Sequence, residues 1–259
     1  MDMLRRPFVG TVIQTKTLNR QLIRVTVTSP ELNRFEYCGP DQLVRVFLPP
    51  HPEAELVLPK TEAWWPELQS MDENQRPVLR NYTVRSLDPV ARTMNIDFVI
   101  HSEHAGPGST WAVNAIRGDR IGLLSDGADY QPPEDTDWQL LIGDETALPA
   151  IASIIEQLPP DARALAFVEV GDREDELPIA RHPGVRFHWL HRGDTSPGNS
   201  DVVLRRLRET PLPTGRAYAW VAGESSLVTS VRRHLVAERG LEKLQVYFCG
   251  YWRRMETPT

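Results

Sequence analysis

Arg80, Tyr82 and Thr83 stand within the run RNYTVR, Arg80 to Arg85. On an extended chain, side chains at alternate positions share a face, so Arg80 and Tyr82 project together while Thr83 points the other way. A guanidinium displayed beside a flat phenol ring suits a ligand that is anionic at one end and planar at the other, as a flavin nucleotide is. A second run, DFVIHSEHAGPGSTWA from Asp97 to Ala112, places a strand, a Gly-Pro-Gly turn and a Ser-Thr pair directly before a helix. Ser109 or Thr110 is placed to cap that helix. The glycines let the backbone approach a ligand closely, and the free N–H groups of a helix start attract phosphate. A third run, GDETALPAI from Gly143 to Ile151, ends a strand at Gly143 and opens a helix at Thr146, with Asp144 and Glu145 between. Acids at that position satisfy the helix dipole themselves and repel a pyrophosphate. No G-x-G-x-x-G fingerprint occurs in the chain, so the sequence alone provides no dinucleotide cradle of that kind.

These runs must be positioned by two unlike halves. The first is strand-rich, with strands expected over Phe8–Thr17, Leu22–Thr28, Leu43–Leu48, Asn81–Leu87, Met94–Ile100 and Arg120–Leu124, and one helix over Ser109–Ile116. Short strands rich in β-branched residues and separated by turn residues indicate an antiparallel barrel or sandwich. The second half alternates. Strands are expected at Gln139–Ile142, Ala164–Val170, Val185–Leu190, Tyr218–Ala222 and Leu244–Phe248. Between them lie helical patterns carried by Leu148, Ile151, Ile155 and Leu158, by Val202–Arg208, and by Leu227, Val231 and Leu235. Alternating strand and helix is the signature of a parallel α/β sheet. The polar, proline-bearing stretch Asp126–Asp137 marks the boundary, giving domains of 1–130 and 131–259. The segment Pro49–Leu79 shows no periodicity and carries Trp64 and Trp65. Loops of that length are functional or self-packed, so it reads as a lid, a pocket wall or a surface loop folded on itself.

The composition is that of a globular protein: 259 residues, 41% hydrophobic and 25% charged. No apolar run approaches the ~20 residues that span a bilayer. The N-terminus lacks an apolar segment of signal-peptide length, and a cytoplasmic location without membrane association is expected. A formal charge of −6 weighs against a nucleic-acid-binding role. Cys38 and Cys249 lack metal-ligand spacing and read as buried thiols. No cluster of His, Asp and Glu has the spacing of a metal site, so none is expected.

RNYTVR followed by HSEHAGPGSTWA resembles the flavin-binding signature of the siderophore-interacting proteins, a branch of the ferredoxin-reductase-like flavoproteins. GDETALPAI, WVAGESSLVTSVRRHL and the terminal YFCGYWRR resemble the second domain of the same family, so the likeness covers nearly the whole chain. It implies an N-terminal antiparallel β-barrel that binds FAD, joined to a C-terminal α/β parallel-sheet domain of nicotinamide-binding type. Carried onto this chain, Arg80 grips the flavin pyrophosphate, Tyr82 stacks on the isoalloxazine, and Thr83 lies at its reactive edge as the catalytic position. Asn81 lies in the same strand, and Gly106, Pro107, Gly108, Ser109, Thr110 and Trp111 form the pyrophosphate turn. His101 matches the family pattern, although Ser102 replaces the glycine that follows it there. Gly143 and Thr146 occupy the nicotinamide-cofactor position, where the wider superfamily has a glycine-threonine-glycine turn in place of Asp144 and Glu145.

The implied activity is reduction of ferric siderophores with release of Fe(II). NADPH, NADH and reduced ferredoxin all stay open as electron sources. An anionic ferric siderophore calls for a basic pocket. The resemblance points to Arg45, Arg253 and Arg254 for it, with Lys60 of the long loop as a further candidate. A generic flavin reductase and a siderophore-binding module without redox chemistry are the alternatives.

Overall fold

The computed structural model describes residues 6–100 and 106–254. The chain divides into two compact units, Met1–Ala128 and Asp129–Thr259. Among the described residues no helix is long and apolar enough to cross a membrane, and no group of His, Cys, Asp and Glu is arranged to hold a metal ion.

The first unit is built on β1 (Phe8–Asn19), β2 (Leu22–Thr28), β3 (Leu43–Leu48), β4 (Val78–Thr83), β5 (Ser86–Asp88), β6 (Thr93–Val99) and β7 (Arg120–Ser125). Their order in the sheet is β4-β3-β7-β1-β2-β6-β5, every pairing antiparallel. Closure comes from one bent segment. The strand expected over Asn81–Leu87 is two strands, broken at Val84 and Arg85, so β4 pairs with β3 while β5 pairs with β6. At the bend the Val84 amide bonds Gln42 O and the Arg85 amide bonds Asn95 O, both leaving the straight ladder. Arg85 then reaches Asp97 at 3.9 Å, and Asp97 also accepts two bonds from Arg24, its register partner on β2, at 2.6 and 2.7 Å. Apolar side chains at alternate positions fill the interior, Val12, Val25, Val27, Val44, Val46, Met94, Ile96, Phe98, Ile121 and Leu123 among them.

A helix, α1 (Trp64–Ser70), forms inside the 49–79 segment, where no periodicity announced one. It is short, and Leu68 is its one fully buried residue, joining Phe47 and Leu124 in a cluster separate from the barrel core with Trp64 packed against it. Trp64 meets Phe47 edge-on at 5.8 Å, while Trp65 is half exposed. The segment therefore packs through Leu58, Trp64, Leu68 and Met71 against Phe47 of β3 and Leu124 of β7. Helix α2 (Pro107–Asn114) begins two residues before the expected Ser109. Neither Ser109 nor Thr110 caps it, because both lie inside; Gly106 is the cap residue and Pro107 the first helical one. Cys38 is exposed rather than buried, since it lies in the irregular stretch before β3, its amide bonded to the Gln42 side chain.

The second unit holds β8 (Trp138–Gly143), α3 (Leu148–Gln157), β9 (Ala164–Val170), β10 (Val185–His191), α4 (Val202–Glu209), β11 (Ala217–Glu224), α5 (Ser225–Ala237) and β12 (Val246–Trp252). All pairings are parallel, in the order β10-β9-β8-β11-β12. Helices α4 and α5 cover one face through Val203, Leu207, Val228, Val231 and Leu235. Helix α3 lies on the other face, its Ala147 and Ile151 approaching Gly143. The strand order reverses between β8 and β11, the place where open α/β sheets form a ligand crevice beyond the strand ends.

Leu68→Ala should cost about 2–5 kcal/mol within the small cluster, because a fully buried leucine leaves a cavity there. The expected result is faster protease cleavage inside 49–79 at temperatures where the barrel still resists. Cleavage unchanged from wild type would show that Leu68 does not hold the segment.

Candidate functional site

The first-domain site grows from β4. Alternation along the strand puts Val78 and Tyr82 against the barrel core, with Arg80 between them on the same side and Thr83 buried on the other. Arg80 is exposed, makes no ion pair among the described residues, and donates from Nη1 only to the carbonyl of Leu79 at 2.8 Å. Asn81 beside it is exposed, and pairs with Arg45 of β3. The Tyr82 ring lies 4.2 Å from Phe98 on β6, and Phe98 lies 5.5 Å from Trp111 on α2. Burial pushes the Tyr82 phenol up, against the pull of Arg80, so it stays protonated.

The Tyr82 hydroxyl also sets the approach of the helix. A methyl group at Gly108 would stand 1.9 Å from it, so only glycine lets α2 start this close to β4. Among the described residues no side chain caps this helix, and none lies within 4 Å of where a side chain at Gly106 would begin. Pro107 has no amide hydrogen to satisfy, and Gly108 and Ser109 supply the next two N–H groups of the first turn. A strand whose Arg80 has no ion pair among the described residues and the start of α2 are thus fastened together by Tyr82, Phe98 and Trp111. The arrangement can hold a phosphate or pyrophosphate, and an aromatic ring stands beside it. His101 lies outside the described residues.

The four cations expected for an anionic substrate differ in their surroundings. Arg45 is occupied: its guanidinium pairs with Asp126 and stacks 5.2 Å from the centre of Trp64. It links the barrel to the 49–79 segment. Lys60 is exposed, and its backbone amide bonds Glu67 at 2.8 Å. In the second domain Arg253 and Arg254 are exposed at the end of β12, and the Arg254 amide bonds Glu224 at 3.2 Å.

Helix α3 opens at Leu148 rather than Thr146. The intervening residues form a turn in which the Asp144 carbonyl takes the amides of Ala147 and Leu148. The Asp144 side chain accepts from the Thr146 amide at 2.9 Å and from its hydroxyl. It also accepts from the Glu224 amide at 2.8 Å and from the Trp252 indole at 2.9 Å. Glu145 holds Arg192 in a two-bonded pair at 2.8 Å each, and Arg192 lies 3.7 Å from Glu169. All four of these charged residues are buried. Phe98, Trp252 and Arg192 are the contributors that residue patterns did not announce. Their partners lie 16, 108 and 47 positions away, and no local periodicity carries such a pairing.

An antiparallel barrel with an open helix start beside an Arg-x-Tyr strand, joined in sequence to a five-stranded parallel α/β domain, has the fold of the ferredoxin-reductase-like flavoproteins. Residues 11–130 match the siderophore-interacting FAD-binding domain, and residues 136–255 match the siderophore-interacting protein model. The chain belongs to the siderophore-interacting protein family. It is 33% identical to the ferric vibriobactin reductase ViuB of Vibrio cholerae, over 93% of this chain and 88% of that one. A siderophore utilization protein from T. fusca superposes with a TM-score of 0.87 at 35% identity, covering 99% of this chain and 96% of the other. At the level of fold alone, a ferredoxin NADP+ reductase from Neisseria gonorrhoeae with bound FAD and NADP superposes with a TM-score of 0.64 at 14% identity, covering 95% and 99%.

The buried cluster makes stability depend on pH. Burial pushes Glu169 up to about 7, against the pull of Arg192. The folded chain therefore holds this proton more tightly than the unfolded chain, where a glutamate titrates near about 4.3. Stability from this residue is largest at acid pH and falls as pH rises toward and through about 7. His188 works in the opposite direction, its pKa lowered by burial and by Arg206 and Arg186. The effect is thus read from the difference between wild type and Glu169→Gln in denaturant titrations at pH 5.5 and 8. The variant should gain stability relative to wild type at the higher pH; an equal offset at both values would place the titration elsewhere.

Proposed function

We propose that this chain binds FAD on its first domain and reduces ferric siderophores in the cytoplasm, releasing their iron as Fe(II). One observation carries the reading: the start of α2, without a side-chain cap among the described residues, is held by the Tyr82–Gly108 contact, two strand positions from Arg80, which has no ion pair among them. The residues fit the cofactor. Arg80 and the amide of Gly108 would hold its pyrophosphate, with Gly106 at the turn and Ser109 and Thr110 beside it. Tyr82 would line the ring system, Thr83 its reactive edge, and Asn81 the exposed side of the strand. When bound, a flavin accepts electrons in pairs and passes them on singly, which suits a one-electron acceptor such as chelated iron.

The chain's own residues then have distinct tasks. Arg80 neutralises phosphate charge, and Tyr82, kept protonated by burial, offers a neutral aromatic wall. Arg253 and Arg254 in the second domain, and Lys60 in the first, are exposed cations suited to an anionic ferric chelate. Arg45, already paired with Asp126 and stacked on Trp64, positions the 49–79 segment beside β3. Reduction of the metal weakens its hold in a chelator of hard oxygen ligands, and the iron is then free to leave.

The deciding experiment reduces flavin-loaded protein anaerobically with dithionite, removes the excess, and adds a ferric siderophore with an Fe(II) trap. Recovery of the flavin band together with trapped Fe(II) is expected. A flavin that stays bleached would sink the reductase reading.

Arg80→Ala should lose a charge-assisted hydrogen bond of roughly 1.5–3 kcal/mol, one to two decades of flavin affinity. Flavin retention equal to wild type would remove Arg80 from the site. Arg253→Ala with Arg254→Ala should weaken an anionic ferric siderophore more than a neutral one while flavin content stays constant. That loss should shrink at high salt, since exposed charges are screened within about 8 Å at physiological ionic strength. Fluorescence quenching at two salt concentrations checks it, and a salt-independent loss would speak against charge pairing.

A further inference from the structure

The strand crevice of the second domain is where this fold holds the pyrophosphate of a nicotinamide dinucleotide, between β8 and β11 and against the start of the helix that follows each strand. In this chain the residues there do not fit that group. The carboxylate of Asp144 stands in the crevice and is held by donors from three directions: Thr146, the amide of Glu224 at the end of β11, and the indole of Trp252 at the end of β12. Gly223 has φ +137, and a side chain there would meet the Asp144 carboxylate at 2.8 Å. The backbone of β11 is shaped around that carboxylate.

Both helix starts flanking the crevice are already used. At α3, the amide of Leu148 bonds the Asp144 carbonyl, and the next residue, Pro149, has no amide hydrogen. At α5, the Glu224 side chain accepts from the amides of Ser226 and Leu227 and from the Ser226 hydroxyl. The dipole of α5 is thus met by an acid of the chain itself, the arrangement that disfavours a second anion, and the first two positions of α3 offer no free amide. Behind Asp144 lie Glu145 and Glu169 with Arg192 as their only buried cation among the described residues, so the local charge is already negative.

We propose that this crevice excludes the pyrophosphate of NADPH and NADH, with Asp144 and Glu224 as the excluding residues. The electrons for the proposed reduction then come from a reduced one-electron carrier protein, a donor that needs no nucleotide seat. The reaction balances without a hydride: two reduced carriers are oxidised, two ferric centres are reduced, and the two protons taken up with the electrons are returned. This step rests on the reductase reading above; the exclusion itself does not.

The test uses flavin-loaded protein. Calorimetry and Trp fluorescence with NADPH, NADH and NADP+ up to about 1 mM, the weak end of specific recognition, should show no saturable binding. In anaerobic mixing, either nicotinamide should bleach the flavin at least a hundredfold more slowly than a dithionite-reduced small iron–sulfur protein. Saturable nucleotide binding within that range, or bleaching by a nicotinamide as fast as by the carrier, overturns the proposal. The double variant Asp144→Asn, Glu224→Gln, if folded, should bind NADPH at least tenfold more tightly than wild type. No gain in the folded variant would overturn the assignment to these two carboxylates. Should the variant not fold, the wild-type titration decides alone. The dithionite experiment with ferric siderophore bypasses the donor, so failure of the reductase reading and failure of the exclusion give different results.

Discussion

Where the Tyr82 hydroxyl meets Gly108, the backbone of α2 approaches β4 more closely than any side chain would allow. The barrel is organised to produce that approach. The segment from Val78 to Asp88 must bend at Val84 and Arg85 so that its two halves pair with β3 and β6, and Arg85 and Arg24 hold the bend through Asp97. Phe98, fixed in β6 by the barrel core, then supports Tyr82 from behind and Trp111 from the side. Without the bend, β4, which pairs with β3 alone, would not be carried back toward β6, and Arg80 would have no fixed relation to the helix start.

The two domains treat their polar groups in opposite ways. In the first, the start of α2 has no side-chain cap and Arg80 has no carboxylate partner among the described residues. A glycine at the cap in place of a capping side chain forgoes only about a few tenths of a kcal/mol. In the second, Glu224 caps the start of α5, the backbone carbonyl of Asp144 takes the first amide of α3, and Glu145 and Arg192 neutralise one another out of contact with water. Burying more carboxylates than cations is costly, and burial shifts Glu169 so that a proton relieves part of the excess. An open site and a closed one therefore stand on the same chain, and the functional reading follows the open one.

Much of the architecture was legible in the residues alone. Short apolar and β-branched runs over Leu22–Thr28, Leu43–Leu48 and Ala164–Val170 mark strands that form over those same residues, because each must turn one or both faces to a core. Spacings of four in Leu227, Val231 and Leu235 mark the packed face of α5, where Val231 and Leu235 are buried and Leu227 partly so. The open turn at Gly106 to Ser109 and the acids at Asp144 and Glu145 were likewise visible, since backbone freedom and charge are properties of residue type. Helix α1 was not, because a helix anchored by a single buried leucine leaves no periodic signal.

What tertiary structure alone decided is who meets whom. Residue type says that Arg45 carries a charge; only the pairing of β3 with β7 brings Asp126 to it. Residue type says that Asp144 is an acid at a helix start; only the return of β11 and β12 beside β8 brings the Glu224 amide and the Trp252 indole onto it. Local patterns record which face a residue shows, since that depends on neighbours a few positions away. Occupied and available charges differ by contacts that cross tens of residues, and those exist only once the sheets have closed.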